Sequence, residues 1–137
     1  MLKVLVETGF LLALNPRDKN HSWVLSVLKE ARRGEIALYI SPAALIEVSL
    51  ILRTKGINET ELKEVLDSMR YAISMYTKPR LPHLSFEHVS LASNLRSRYP
   101  ELSFFDSIHA SIAILNGLLY YDLDKVIKEI VEAELSI

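Results

Sequence analysis

The chain has 137 residues, 50% of them hydrophobic and 24% charged, which is enough apolar material for one folded domain and argues against disorder. It contains no cysteine, so disulfides, thiolate metal sites and cysteine nucleophiles are excluded. Its formal net charge of −1 lacks the basic excess that predicts direct nucleic-acid binding.

Short apolar runs alternate with helical segments along the chain. Strands are predicted at residues 2–6, 36–40, 80–84, 118–121 and 135–137. Helices are predicted at about 9–14, 21–33, 42–55, 59–75, 86–99, 104–116 and 124–132. The predicted N-caps are Thr8, Asn20, Ser41, Asn58, Ser85 and Ser103.

This alternation predicts an α/β fold, a three-layer sandwich with a mostly parallel central sheet of four to five short strands. No linker, internal repeat or low-complexity segment interrupts the chain, so we expect a single domain over residues 1–137. The N-terminus lacks the basic start and long apolar run of a signal peptide. The longest stretch without Asp, Glu, Lys or Arg, residues 107–121, is too short to span a bilayer. We therefore expect a soluble, cytoplasmic protein.

Four acidic residues stand alone in otherwise apolar segments: Glu7, Glu47, Asp106 and Asp122. Glu7 and Asp122 directly follow predicted strands, and sites in open parallel sheets form at the carboxyl ends of strands. Glu47 and Asp106 lie early in their helices, which right-handed crossovers bring to the same edge. We therefore expect the four carboxylates to converge.

A cluster of buried carboxylates is costly unless a partner neutralises it. Oxygen ligands suit Mg²⁺ and Mn²⁺, and a bound ion, or a pair of ions about 4 Å apart, activates water and stabilises a leaving oxygen. The four acids therefore predict an Mg²⁺ or Mn²⁺ site for phosphodiester hydrolysis.

Simpler roles are open for each of these acids. Asp106 is three residues after Ser103, as in a capping box. Asp122, or Asp124 in its place, is suited to cap the last helix. Glu7 is equally compatible with an exposed turn. A solvated surface position is the simpler role for Glu47 as well, but it is the hardest of the four to sustain, because a solvated helix face would normally carry more than one charge.

Weaker candidates surround these acids. Thr8 is placed either to hydrogen-bond a metal-bound water or to cap a helix. His109 is three residues after Asp106, where it orients that carboxylate or fills the core. Two pairs of basic residues are placed either to contact phosphates or to solvate a surface: Arg53 with Lys55, and Arg96 with Arg98.

Four segments together resemble the PIN-domain family, particularly its small VapC-type toxins: residues 4–13 (VLVETGFLLA), 41–48 (SPAALIEV), 102–110 (LSFFDSIHA) and 118–124 (LLYYDLD). The resemblance covers essentially the whole chain. It implies a PIN-like fold and a metal-dependent endoribonuclease that leaves a 5′-phosphate.

The resemblance also implies roles for individual residues. It makes metal ligands of Glu7, Glu47, Asp106 and Asp122, with Asp124 as a fifth candidate and Thr8 assisting through its hydroxyl. The predicted cofactor is Mg²⁺ or Mn²⁺. The predicted partners are an RNA substrate, a second copy of the chain in a homodimer, and a cognate antitoxin protein. The residues that contact RNA are not predicted.

Two residues depart from the family pattern. Glu7 stands where Asp is usual, which moves the carboxylate by about 1.5 Å in a site whose Mg²⁺ geometry is strict. Tyr120 stands where Thr or Ser is usual. These departures favour a second hypothesis, a PIN-like module that binds RNA or a protein without cleavage. An RNA-processing nuclease outside a toxin–antitoxin system and a receiver-like phosphotransfer domain are further alternatives, although the latter lacks a well-placed lysine.

Overall fold

A computed structural model provides the structure of the chain and describes residues 1–135. It is an α/β fold in which helices pack on both faces of a parallel sheet. The strands are β1 (Leu2–Val6), β2 (Ile36–Ile40) and β3 (Leu119–Tyr120). The helices are α1 (Thr8–Leu12), α2 (His21–Arg32), α3 (Pro42–Thr54), α4 (Glu59–Ser74), α5 (Phe86–Arg98), α6 (Phe104–Asn116) and α7 (Lys125–Leu135).

The sheet has the order β2-β1-β3, so β1 lies in its centre, and both neighbours run parallel to it. In this register Leu5 pairs with Tyr39 on one side and Tyr120 on the other. The carboxyl ends of all three strands therefore meet at one edge. Glu7 follows β1 directly at that edge, as the sequence predicts.

The expected count of four to five strands is wrong, because the described residues form three. Residues 80–84 contribute a single bridge, in which Arg80 N–H donates to Leu38 O at 3.0 Å and Arg80 O accepts from Ile40 N–H at 2.8 Å. The next donor on this side belongs to residue 82, which is a proline without an N–H. Pro82 therefore ends the pairing after one residue.

The remaining predicted boundaries hold within a few residues. The strand predicted at 118–121 shortens to β3, and all seven predicted helices are present in the described part of the chain. The strand predicted at 135–137 is wrong at its first residue, because Leu135 ends α7, and the other two residues lie outside the described range. Within residues 1–135, no helix is both long and apolar enough to cross a membrane.

Strand alternation divides the core between the two faces of the sheet. Val4 and Val6 face one cluster, which includes residues of α1, α2, α3 and α4. Leu5 and Tyr120 face the other cluster, which includes residues of α5, α6 and α7. Glu7 keeps an extended backbone, with φ −135° and ψ −153°. The alternation therefore continues to Glu7, which lies on the same face as Leu5.

Helix α6 crosses this second face and is defined at both ends. Ser103 and Asp106 form a capping box at its start. Gly117 follows its last residue with φ 64° and ψ 38°, the left-handed conformation that glycine adopts without a steric penalty. The polypeptide then turns directly into the strand that precedes Asp122, so the two ends of this segment bring Asp106 and Asp122 toward the same edge.

Gly117→Ala should therefore destabilise the protein by about 1 kcal/mol, because a Cβ is strained in the left-handed region even where space is open. Gly117→Asn is the matched control and should cost less, since asparagine tolerates this conformation better. Urea denaturation of both variants beside the wild type measures the difference. Equal stability of Gly117→Ala and wild type would contradict this assignment of the helix end.

Candidate metal centre

The site begins at the junction of β1 and α1. Glu7 is the N-cap of α1, and its Oε1 accepts a hydrogen bond from Gly9 N–H at 2.9 Å. The sequence predicted Thr8 in that role, and this prediction is wrong because the extended backbone ends at Glu7 rather than one residue later. Thr8 is instead the first residue of α1, and its buried hydroxyl bonds elsewhere.

Glu47 on α3 accepts hydrogen bonds at Oε1 from the Thr8 hydroxyl and from His109 Nε2, the latter at 2.9 Å. His109 Nδ1 lies 2.7 Å from Ser41 Oγ. Because a carboxylate oxygen only accepts, Nε2 carries the hydrogen and Nδ1 of the neutral ring accepts one from Ser41. The chain of contacts Thr8–Glu47–His109–Ser41 thus connects α1, α3 and α6.

His109 is fully buried, as one of the two sequence interpretations proposed. Its two ring nitrogens face Ser41 and Glu47 rather than Asp106, the residue that the other interpretation had it orient. Ser41 occupies the N-cap position of α3, yet its side chain makes no capping hydrogen bond, since it is engaged with His109. The role of His109 therefore depends on the way α3 and α6 face each other, which local sequence spacing does not reveal.

Glu7, Glu47 and His109 each offer one ligand atom, and these atoms lie within 4.8 Å of one another. The distance from His109 Nε2 to Glu7 Oε2 is 3.8 Å. Two carboxylates and an imidazole suit Mn²⁺ and similar divalent ions, whereas Mg²⁺ prefers oxygen alone. If His109 binds through Nε2, the Ser41 hydroxyl can accept a hydrogen from Nδ1 instead, so the second contact suits either tautomer. The donor set fits a divalent cation.

Asp122 approaches this group from β3. A Cβ placed on Gly9 would lie 3.0 Å from Glu7 Oε1 and 3.7 Å from Asp122 Oδ1. Both carboxylates therefore approach the same small space above Gly9, which only the missing side chain of glycine keeps open. Asp122 Oδ1 also accepts a hydrogen bond from Leu123 N–H at 2.8 Å. The structure thus places Glu7 near Glu47 and also near Asp122, which is part of the convergence that the sequence predicts for four acids.

Asp106 and Asp124 have additional partners. Asp106 Oδ2 accepts from Ser103 N–H at 3.2 Å, which confirms the capping interpretation, while its charge still acts on Asp122. Asp124 is exposed, and its Oδ1 accepts from Val126 N–H at 2.9 Å at the start of α7. Asp124 is therefore the capping residue of the last helix, a role that the sequence left open between Asp122 and Asp124.

The two glutamates carry opposite electrostatic perturbations. Burial, followed by the negative charge of Asp122, raises the pKa of Glu7 to about 7. Burial also acts to raise the pKa of Glu47, but the hydrogen bonds from His109 and Thr8 outweigh it and lower that pKa below its ordinary value. Burial raises the pKa of Asp122 as well. Near neutral pH the site therefore holds more negative charge than its surroundings stabilise, which favours a cation.

The negative charges of all four acids act on Tyr120. It is 1% exposed, and its hydroxyl has no hydrogen-bond partner in residues 1–135. Burial raises the pKa of the Tyr120 phenol well above its usual value, and the negative charges of four carboxylates raise it further: Glu7, Asp122, Asp106 and Glu47. The phenol therefore stays protonated and remains a hydrogen-bond donor.

The candidate phosphate contacts differ in their surroundings. Arg53 pairs with Glu59 at 3.1 Å, and Arg98 pairs with Glu134. Arg96 instead donates to Ser107 Oγ at 2.6 Å, immediately after Asp106 in the chain. Its guanidinium also lies 4.8 Å from the ring centroid of Phe104, which is 58% exposed. Of the two basic pairs, Arg96 is thus directly tied to the helix that carries Asp106.

Comparisons with known proteins agree with this fold. The model of the PIN domain family matches residues 4–133. The fold is similar to the crystal structure of Mycobacterium tuberculosis VapC20, described as a Sarcin-Ricin loop cleaving toxin, with a TM-score of 0.68 and 20% sequence identity. That similarity covers 93% of this chain and 94% of VapC20. No curated protein sequence matches the chain.

The raised pKa of Glu7 predicts how the metal-free protein responds to pH. The folded value of about 7 exceeds the ordinary 4.5, so the folded state binds more protons between these values and its stability falls as pH rises through them. Glu7→Gln keeps an acceptor for Gly9 N–H and removes the charge. In EDTA it should exceed the wild type in stability by about 1–3 kcal/mol at pH 8 and match it near pH 5.

Urea denaturation at the two pH values measures this difference, with the exposed Glu64→Gln on α4 as the control. The control should follow the wild type at both. A gap between wild type and Glu7→Gln that is the same at pH 5 and pH 8 would show that Glu7 does not titrate in this window.

Proposed function

The chain belongs to the PIN-domain family, and on that premise we propose that it is a metal-dependent endoribonuclease that hydrolyses RNA phosphodiester bonds. The observation that carries the proposal is the cluster of ligand atoms from Glu7, Glu47 and His109 at one edge of the sheet, with Asp122 near Glu7. Burying carboxylates this close together costs free energy, which a bound cation would offset. A metal site for hydrolysis would account for this arrangement.

The proposed metal ligands are Glu7, Glu47, Asp106 and Asp122. Asp124 is a fifth candidate, and its Oδ1 also accepts a hydrogen bond from Val126 N–H at the start of α7. A divalent cation held there lowers the pKa of a water molecule and stabilises the leaving oxygen. Mn²⁺ suits the site better than Mg²⁺, because the longer side chain of Glu7 suits a less strict coordination geometry.

The protein's own side chains contribute to the mechanism by orienting the proposed metal ligands. The Thr8 hydroxyl and His109 both hold Glu47 Oε1, while Ser41 fixes the ring of His109 from its other nitrogen. Gly9 N–H holds one oxygen of Glu7 and leaves the second free. In this proposal Thr8 assists by positioning Glu47 through its hydroxyl. Ligands fixed in this way lose little conformational freedom when a cation binds.

The RNA must be attracted locally, because the net charge of −1 provides no general attraction. Arg96 is a basic side chain tied to the start of α6, and the exposed ring of Phe104 lies beneath its guanidinium. An arginine beside an exposed aromatic ring suits a phosphate and a stacked base of single-stranded RNA. We include Arg96 and Phe104 in the proposed RNA-binding surface.

The likeness to VapC20, which is described as a toxin, supports a role as the toxin of a toxin–antitoxin pair in the cytoplasm, with a cognate antitoxin protein as partner. A homodimer is also proposed. Helix α3 exposes three large apolar side chains that are costly to leave in water, Leu45, Ile46 and Leu50. An RNA-processing nuclease without an antitoxin is the alternative, and a small neighbouring antitoxin gene would distinguish the two.

Glu7 and Tyr120 favour a second candidate, a PIN-like module that binds RNA or protein without cleaving. Both lie in the site itself, where a longer acid and a larger hydroxyl side chain alter the space for the cation. This candidate predicts RNA binding that persists in every divalent metal without product formation.

Cleavage of a mixed RNA panel in Mn²⁺, Mg²⁺ or EDTA tests the proposal. Wild type should cleave in Mn²⁺ and not in EDTA, and Asp106→Asn and Asp122→Asn should each lose on the order of 100-fold, since removing a ligand weakens the cation. Asp67→Asn, on the exposed side of α4, is the matched control and should cleave like wild type. Glu7→Asp reports whether the longer side chain limits the rate.

Undiminished cleavage by Asp106→Asn and Asp122→Asn would refute the ligand assignment. Cleavage by Glu7→Asp but not by wild type would identify an inactive natural site on an intact scaffold. Binding without cleavage in all variants would support the second candidate.

The proposed dimer predicts that light scattering finds twice the chain mass for wild type. Ile46→Glu should shift the protein toward the monomer, because it places a charge in the apolar surface of α3. Lys63→Glu, exposed on α4, serves as the control and should stay dimeric. A wild type that is monomeric at high concentration would contradict the dimer.

A further inference from the structure

The two departures from the family pattern, Glu7 and Tyr120, lie on one face of the sheet. Leu5 pairs with Tyr120 across β1 and β3, so these two side chains share a face. Glu7 is two residues after Leu5 in extended backbone and therefore lies on the same face. Tyr120 and Glu7 are thus diagonal neighbours across adjacent strands, a separation that a tyrosine side chain can span.

The hydroxyl of Tyr120 is a buried donor without a partner. Its ring is packed in the second core cluster, and within residues 1–135 the oxygen has no hydrogen-bond partner. A buried hydroxyl left unpaired costs free energy that phenylalanine would avoid. This cost indicates that the hydroxyl has a partner in another state of the site.

The surroundings of that hydroxyl point to a carboxylate. Four acids act on it electrostatically, and the charge of Glu7 has the largest effect among them. Glu7 has a second carboxylate oxygen for such a bond. Gly9 N–H donates to Oε1, whereas Oε2 lies 3.8 Å from His109 Nε2. A neutral phenol next to a carboxylate acts as a donor, and a charge-assisted hydrogen bond is the strong kind.

We propose that Tyr120 is a positioning residue of the metal site, whose hydroxyl donates a hydrogen bond to the Glu7 carboxylate when a divalent cation is bound. The inference rests on the proposed function, since it requires that the acids hold a cation. The small hydroxyl residue usual at this position cannot extend as far as tyrosine. The longer carboxylic acid of Glu7 and the longer hydroxyl side chain of Tyr120 therefore compensate for each other. In this proposal the two departures from the family pattern preserve the metal site.

The test is a double-mutant cycle on Mn²⁺ affinity, measured by calorimetry on the full chain. Tyr120→Phe should weaken Mn²⁺ binding about tenfold, the loss expected for one hydrogen bond to a charged group. In the Glu7→Asp background the same change should weaken binding less than twofold, because the shorter carboxylate does not meet the hydroxyl. Tyr39→Phe is the matched control: its hydroxyl faces Arg80, and Mn²⁺ affinity should not change.

Two further readouts separate this role from simple packing. The metal-free thermal stability of Tyr120→Phe should equal or exceed that of wild type, because the change removes an unpaired buried hydroxyl and keeps the ring. Mn²⁺ should perturb the tyrosine absorption of wild type and of Tyr39→Phe, but not that of Tyr120→Phe.

The outcomes are distinct. Equal Mn²⁺ affinity of Tyr120→Phe and wild type, or the same loss in both Glu7 backgrounds, overturns the pairing and leaves the proposed nuclease standing. Absence of Mn²⁺ binding by wild type overturns the metal site and this inference together. Loss of affinity only where Glu7 is present establishes the pair.

Discussion

The contacts among three helices at the candidate site converge on one carboxylate oxygen, Glu47 Oε1. Glu47 Oε1 accepts hydrogen bonds from Thr8 and His109, and in this way it connects α1, α3 and α6 at the carboxyl edge of the sheet. His109 is buried and is held from its other side by Ser41, so the network has little freedom to rearrange. The hydrogen bonds from His109 and Thr8 lower the pKa of Glu47, which therefore stays ionised. The other acids of the site lie around this fixed negative charge.

This arrangement explains why Glu7 differs so much from Glu47. Two acids within a few ångströms cannot both be stabilised by the same small set of donors, and among residues 1–135 the hydrogen bond that Glu7 accepts at its side chain comes from Gly9 N–H. Burial and the charge of Asp122 then raise its pKa to about 7. A divalent cation would resolve the imbalance by attracting both carboxylates. In this view the electrostatic cost at Glu7 and the unpaired hydroxyl of Tyr120 are two consequences of a site built for a ligand that carries positive charge.

Much of this could be predicted from local sequence. The strands at Leu2–Val6 and Ile36–Ile40 follow from apolar runs, and the acids stood out because each lies alone in such a segment. The strand count failed because one missing N–H, that of Pro82, ends a pairing that hydrophobicity alone would continue. The contact between His109 and Glu47 was missed because it joins residues 62 positions apart and depends on the rotation of two helices. The exchange of capping from Thr8 to Glu7 depended on the extended backbone of one residue, Glu7.

The central claim is that these side chains form a cation site, and a crystal structure of the protein soaked in Mn²⁺ tests it most directly. An anomalous difference map locates manganese independently of any activity. The account predicts a peak bounded by Glu7, Glu47 and Asp122, close to His109 Nε2 and at coordination distance from at least two carboxylates. A map with no peak there at saturating Mn²⁺, or with manganese only on exposed surface acids, would contradict the account.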